Sequence, residues 1–108
     1  MRYGRPVSIV VVATVFPAPE FRQQAIALLE KTIPLVHAEN GCELYALHED
    51  DGRLVMVEKW ASRAALDAHL NGPAFTAMRG RLQPLASRPA EVQVLQPHPV
   101  GTPGQGSV

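Results

Sequence analysis

The apolar residues fall into four short runs whose spacing is typical of β-strands, at residues 7–15, 42–49, 54–60 and 91–96. The first and third runs are apolar at both odd and even positions. Because successive side chains of a strand point to opposite faces, these two strands are predicted to be covered on both faces of a sheet. In the second run, Tyr45 and Leu47 are predicted to share one face, with Cys42 and Leu44 on the other.

A longer stretch, residues 20–38, has the spacing of an amphipathic helix. Its apolar stripe consists of Phe21, Ala25, Leu28, Leu29, Thr32 and Val36. Pro34 lies inside the stretch and is predicted to kink the helix or to end it early, because proline lacks a backbone N–H. Asn40 or Gly41 could then supply the left-handed residue that often ends a helix.

Turn and cap residues place the remaining elements. Residues 50–52, Asp-Asp-Gly, predict a hairpin turn in which the glycine tolerates positive φ. Ser62 can accept a hydrogen bond from the first turn of a second helix. Gly72 and Pro73 break that helix, and residues 74–85 are predicted to form a further turn or two ending near Pro84.

This order of elements predicts an α+β fold, a ferredoxin-like β-α-β-β-α-β chain with an antiparallel sheet. Two helices can cover only one face of such a sheet, and the valines on the other face would form a large exposed apolar patch. A second copy packed sheet against sheet would cover it, so a homodimer is predicted. We place a single domain at residues 1–96. The tail rich in Pro and Gly, residues 97–108, is expected to be mobile or ordered only against another chain.

Charge and cysteine content exclude several classes of partner. Lys plus Arg and Asp plus Glu number 10 each, so no net field attracts nucleic acid. The apolar run at residues 7–15 is far shorter than the roughly 20 residues of a membrane helix, and no signal-peptide cleavage site follows it. With a single cysteine, Cys42, the chain is expected to be cytoplasmic and to bind neither nucleic acid nor membrane.

His69 is the side chain on which a mechanism would most depend. Leu66, His69 and Leu70 are three and four positions apart, so a helix presents them on one face. This face comes just before the Gly-Pro break and Phe75. An imidazole can take up or release a proton near neutral pH. His69 is therefore either a base that lines a pocket or a packed histidine bonded to a backbone carbonyl.

Glu58 and Trp60 are two positions apart and share one face of a strand. Trp60 is either a pocket wall that stacks on a flat substrate or ordinary core. For Glu58, a structural ion pair with an arginine of residues 79–88 is favoured over a catalytic role.

The remaining candidates also have two interpretations. Tyr45 either offers its phenol to a ligand or only packs, and packing is favoured. Phe75 and Met78 are three apart and form either a pocket floor or core. Arg79 and its neighbours Arg81 and Arg88 are interpreted as surface residues. Nothing in the sequence indicates a nucleophilic Cys42.

Three groups of residues, in this order and at these separations, resemble the antibiotic biosynthesis monooxygenase family of small dimeric α+β barrels. They are Glu39-x-Gly41-Cys42-x-x-Tyr45-x-Leu47, Glu58-x-Trp60-x-Ser62 and Ala65-Leu66-x-x-His69-x-x-x-Pro73-x-Phe75. The resemblance covers about residues 7–94. It implies a homodimer with a pocket in each subunit between the sheet and the helices.

The resemblance also implies a chemistry, the oxidation of a quinol- or anthrone-like aromatic by dioxygen without metal or flavin. On that basis the candidate catalytic residues are His69 and Tyr45, and the predicted substrate contacts are Trp60, Leu66, Leu70, Phe75, Met78 and Glu58. No glycine-rich nucleotide motif follows a strand, and the four histidines lack metal-ligand spacing. Both observations agree with an expectation of no cofactor and no metal.

Two alternatives stay open. Haem-degrading members of the family use a histidine shortly after the phenylalanine, where this chain has Met78 or Arg79, and this difference disfavours haem. A non-catalytic dimer that binds a small aromatic is the alternative from another class.

Overall fold

The computed structural model describes residues 8–108, so the predicted lead-in at residues 1–6 and the start of the first strand at Val7 lie outside the described residues. The elements, in chain order, are β1 (Ile9–Pro17), a 3-10 turn (Pro19–Phe21), α1 (Arg22–His37), β2 (Cys42–Glu49), β3 (Leu54–Trp60), α2 (Arg63–Leu70), α3 (Pro73–Leu82), a second 3-10 turn (Gln83–Leu85) and β4 (Ala86–Leu95). The predicted order is confirmed, with the second helical stretch divided into α2 and α3 at the Gly-Pro break.

The sheet has the strand order β2-β3-β1-β4, and every neighbouring pair is antiparallel. This arrangement confirms the ferredoxin-like α+β fold. β1 and β3 are central, and β2 and β4 form the edges. In the register, Glu58 on β3 lies between Val11 of β1 and Tyr45 of β2, so its carboxyl starts from the middle of the sheet.

The helices cover one face of the sheet and form the core with it. The buried apolar side chains are Ile9, Val11, Ala25, Leu29, Val36, Tyr45, Leu54, Met56, Trp60, Leu66, Met78 and Leu82. The other face, which we call the open face, carries the half-buried side chains Val10, Val12, Val55 and Val57. β1 and β3 are thus apolar on both faces, as predicted.

Cys42 does not face the way that strand alternation predicts. The register shifts between Cys42 and Leu44, so Cys42 pairs with Trp60 while Leu44 pairs with Lys59. This bulge turns the Cys42 side chain towards the helix-covered face, where it packs against the core.

Of the two outcomes predicted for Pro34, an early end of the helix does not occur, because α1 continues to His37. Two further local expectations differ from the structure. The hairpin turn closes with the amide of Asp50 bonded to the carbonyl of Arg53 at 3.0 Å, and Gly52 does not adopt positive φ. β4 begins at Ala86, five residues before the predicted start, because pairing with β1 extends through two register shifts.

Residues 97–108 contain neither helix nor strand. The amides of Gln105 and Gly106 both bond to the carbonyl of Thr102, which forms a turn. The segment then returns to the open face, where Lys59 Nζ donates to the backbone oxygen of Val108 at 2.8 Å. The mobility of residues 97–108 stays a prediction. Across residues 8–108, none of the helices combines the length and the apolarity that crossing a membrane requires.

The turn between α1 and β2 depends on Gly41. Its φ is +80°, in the left-handed region that favours glycine. A Cβ at this position would lie 2.5 Å from the Cβ of Ala65 in α2. The Gly41 carbonyl also accepts from the amide of Ala61 at 2.8 Å. The turn therefore packs directly against the start of α2.

Gly41→Ala should lower the free energy of unfolding by about 2 kcal/mol or more, because left-handed backbone and steric overlap act together. Gly80→Ala is the matched control, since nothing lies within 4 Å of its Cβ position in α3. That variant should gain up to about 1 kcal/mol from helix propensity. Urea unfolding of both variants measures the difference. Equal effects would contradict the role given to the turn.

Candidate functional site

Three aromatic rings from three different elements surround the imidazole of His69 on α2. Its imidazole stacks on Trp60 of β3 with ring centroids 4.5 Å apart and an interplanar angle of 29°. Tyr45 of β2 and Phe75 of α3 lie 5.6 Å and 5.2 Å from it. We call these four residues the aromatic cluster. His69 is only 2% exposed, so an ionisable ring is held inside the core.

Ser62 and the helix break bring His69 to this place. The Ser62 hydroxyl accepts from the amide of Ala65 at 3.1 Å, which confirms the predicted cap of α2. The helix then runs for two turns and directs Leu66 and His69 into the core. Gly72 and Pro73 reverse the chain into α3, which delivers Phe75 against the imidazole.

His69 has a carboxylate partner, Glu39, in the turn after α1. The distance from His69 Nδ1 to Glu39 Oε1 is 2.7 Å. Because a carboxylate only accepts, Nδ1 of the neutral imidazole carries the proton and Nε2 keeps its lone pair. Within residues 8–108, neither this Nε2 nor the Tyr45 hydroxyl has a hydrogen-bond partner. Both polar atoms are therefore available to a ligand that reaches them.

Sequence reasoning did not assign this role to Glu39. Glu39 belongs to the first of the three matching groups, but Glu39 and His69 are 30 residues apart. Helix or strand periodicity does not relate a turn to a helix face so far along the chain.

Glu58 is buried and, among residues 8–108, has no ion-pair partner, contrary to the predicted bond with an arginine of residues 79–88. It is 5% exposed, and Trp60 Nε1 donates to its Oε1 at 2.9 Å. Burial raises the pKa of its carboxyl to about 7, which outweighs the opposing effect of the Trp60 bond, and Glu39 adds a smaller increase.

Burial also determines the protonation of two neighbours. It raises the pKa of the Tyr45 phenol above its ordinary value, with Glu58 and Glu39 adding to the shift. The pKa of the Cys42 thiol is raised for the same reasons. At neutral pH, Tyr45 is therefore a hydrogen-bond donor rather than a base, and Cys42 is not a thiolate.

A cavity lies beside the aromatic cluster, between α3 and the sheet. This cleft has a volume of about 670 Å³, within the range of small-molecule sites. Its lining residues are Ala13, Val15, Phe75, Met78, Arg79, Leu82, Gln83, Ala86, Ser87, Arg88, Pro89, Ala90 and Val92. Phe75 and Met78 are the two predicted substrate contacts among them.

The other predicted site residues do not line the cleft in this structure. Trp60 and Leu66 are fully buried, and Glu58 lies in the middle of the sheet. Phe75 separates His69 from the cleft, since it contacts the imidazole and also forms part of the cleft wall.

Leu70 corrects another expectation. It is 39% exposed at the last residue of α2, although Leu66 and His69 point inward. A helix of two turns buries only a narrow stripe of its surface, here at Leu66 and His69. Leu70 follows His69 by one residue, so its side chain points to one side of that stripe.

Arg79 and Arg88 are exposed, as the sequence interpretation predicted, and both also line the cleft. The cleft wall at residues 86–90 belongs to the part of β4 that was not predicted as a strand. The apolar pattern carries no signal there, because Ser87, Arg88 and Pro89 interrupt it. Among residues 8–108, no group of three or more His, Cys, Asp or Glu side chains is arranged to hold a metal ion.

Comparisons with known proteins agree with this architecture. The model of the antibiotic biosynthesis monooxygenase family matches residues 8–81. Rv0793 of Mycobacterium tuberculosis, a protein provisionally named a monooxygenase, is 40% identical over 91 residues, which cover 82% of this chain and 90% of that protein. Its solved structure has a TM-score of 0.80 at 36% identity and covers 89% of this chain and 98% of its own. A conserved protein from Methanosarcina mazei Go1 has a TM-score of 0.79 at 25% identity over 82% of this chain and 91% of its own.

The chain therefore belongs to the antibiotic biosynthesis monooxygenase family. Membership indicates a general monooxygenase-like role on a small molecule.

The raised pKa of Glu58 leads to a prediction about stability. The folded value is about 7, above the ordinary 4.5, so the folded state holds the proton more tightly than the unfolded state. The resulting stabilisation is fully present below about pH 4.5 and is lost as the pH rises through 7. Relative to Glu58→Gln, which does not titrate, the wild-type free energy of unfolding should fall by roughly 3 kcal/mol across this range.

Unfolding at a series of pH values measures this difference. Glu43→Gln, which removes an exposed carboxylate of β2, controls for the loss of one negative charge. If both variants follow the same curve, the trend does not come from Glu58.

Proposed function

We propose that the protein is a monooxygenase that oxidises a quinol- or anthrone-like aromatic with dioxygen, without metal or flavin. An anthrone methylene and dioxygen would give a quinone carbonyl and water. The single observation that carries the proposal is the buried His69, oriented by Glu39 with an unpartnered Nε2 and separated by one ring from a cleft of about 670 Å³.

The proposed mechanism asks little of the protein beyond positioning and one proton transfer. Once a hydroxylated aromatic loses a proton, its electron-rich anion can pass an electron to dioxygen directly. His69 would accept that proton at Nε2, and Glu39 would stabilise the imidazolium that forms. Tyr45, as a phenol, would donate a hydrogen bond to developing negative charge on the substrate oxygen.

Phe75 has a particular part in this proposal. Its ring lies between His69 and the cleft, so it must rotate aside when the substrate enters. Met78 and the displaced Phe75 would then hold the aromatic plane. Trp60 and Leu66 would support the imidazole from behind, and Glu58 would hold the Trp60 indole.

The position of Phe75 also favours a second candidate, a non-catalytic module that binds a small aromatic. If the ring does not move, a ligand occupies the cleft without reaching the base. Oxygen uptake with 1,8-dihydroxyanthrone and 1,4-dihydroxynaphthalene, in the presence of a metal chelator, tests the two. Saturable uptake of dioxygen, with one labelled oxygen atom in the product from ¹⁸O₂, supports the monooxygenase. Saturable binding without uptake supports the module.

His69→Gln should lower oxygen-dependent turnover by roughly 10²–10⁴-fold, the contribution of a positioned acid–base group. Binding of the aromatic should remain, because glutamine approximates the volume of the imidazole. Glu39→Gln should reduce turnover in the same direction, since the imidazolium loses its counter-charge. His48→Gln is the control, because this histidine is exposed on β2. Unchanged turnover in His69→Gln would remove this residue as the base.

We also propose that two copies pack through their open faces. Val10, Val12, Val55 and Val57 give this face an apolar surface that none of the helices within residues 8–108 covers. Light scattering at micromolar concentration should therefore give about twice the 11.7 kDa chain mass. Val57→Lys should shift the mass towards that of the monomer, because it would bury a charge at the centre of the contact. A monomer in the wild type would contradict this proposal.

A further inference from the structure

The charged residues of the cleft are all of one sign. Among residues 8–108, its lining includes two arginines, Arg79 from α3 and Arg88 from β4, and no aspartate or glutamate. Around them the wall is largely apolar, with Phe75 and Met78 on the helix side. An apolar cleft with cationic groups at its wall matches a ligand that combines a flat apolar body with a negative group.

The two arginines differ in how far their charge is already neutralised. Arg88 donates to Glu91 Oε2 at 2.8 Å, and its guanidinium lies 4.0 Å from the centroid of the Phe16 ring. Within residues 8–108, Arg79 has no carboxylate within 4 Å. Its guanidinium is therefore the charge in the cleft wall that remains available.

The helix dipole does not by itself account for Arg79. A cation in the last turn of a helix is favoured there, and both Arg79 and Arg81 occupy the last turn of α3. Arg81 meets this preference without lining the cleft. The chain therefore contains a matched pair of arginines on one helix turn, of which one faces the cleft.

We propose that the cleft binds an aromatic molecule that carries a carboxylate, and that Arg79 binds this carboxylate. The inference rests on the proposed function for the aromatic part of the ligand and adds the anionic group to its substrate class. A guanidinium donates two parallel N–H groups to a carboxylate, so the pair fixes orientation as well as affinity. Holding the acid at Arg79 would leave the ring against Phe75, on the side of His69.

The test compares two probes of nearly the same shape, 1-hydroxy-2-naphthoate and its uncharged amide, 1-hydroxy-2-naphthamide, in which an NH2 group replaces the charged oxygen. Isothermal titration with the wild-type protein should give an affinity for the acid that is roughly tenfold or more above that for the amide. Arg79→Gln should remove this preference by weakening the acid and leaving the amide unchanged. Arg79→Lys should restore part of it, because the charge returns without the paired donors.

Arg81→Gln is the matched control, since it removes the same charge from the same helix turn. It should leave the preference for the acid intact. Equal affinities of acid and amide for the wild-type protein, no binding of either, or equal losses in the Arg79 and Arg81 variants would overturn the proposal. The comparison of probes on the wild-type protein holds even if a variant fails to fold.

The outcome is separate from that of the oxidation chemistry. Titration with hydroxynaphthoate requires no dioxygen and no turnover, whereas the anthrone and dihydroxynaphthalene used to test the monooxygenase carry no carboxylate. A preference for the acid without oxygen uptake would support the binding inference and contradict the monooxygenase. Oxygen uptake without a preference for the acid would support the monooxygenase and contradict the binding inference.

Discussion

The hydrogen bond between His69 and Glu39 is the interaction on which the rest of the site depends. It connects α2 to the turn between α1 and β2, two parts of the chain that are 30 residues apart. The same turn contains Gly41, whose lack of a side chain lets α2 approach. The imidazole held in this way contacts the Trp60 ring of β3 and the Phe75 ring of α3, so it connects the sheet to both helices.

Local patterns in the sequence were sufficient to predict the elements and their faces. Strand alternation placed Val10 and Val11 on opposite sides of the sheet, and the side chain of Ser62 identified the start of α2. The same logic failed at Cys42, where a bulge adds one residue and reverses the side-chain direction. A register shift depends on hydrogen bonds to a neighbouring strand, so the alternation within one strand carries no trace of it.

The candidate site was predicted in part, because its members could be named but not their mutual arrangement. His69, Trp60, Tyr45 and Phe75 do come together. Neither the position of Phe75 between the imidazole and the cleft nor the partnership with Glu39 follows from spacing, because both depend on how three helices pack on one sheet. The candidate site has two physically distinct parts. The buried part holds the titratable groups, whereas the cleft beside it provides the cavity and the cationic side chains.

The edge strand β4 has a consequence for behaviour in concentrated solution. Its outer residues include exposed Val92, Val94 and Leu95, and an apolar edge offers unpaired backbone groups to which further strands can add during fibril growth. Pro89 lacks an N–H and lies where the pairing with β1 is irregular, so it interrupts this edge in its first half. Pro89 also forms part of the cleft wall. Protection against aggregation and the shape available to a ligand are therefore set by the same short segment, and a change that widens the cleft there would also expose a longer edge to self-association.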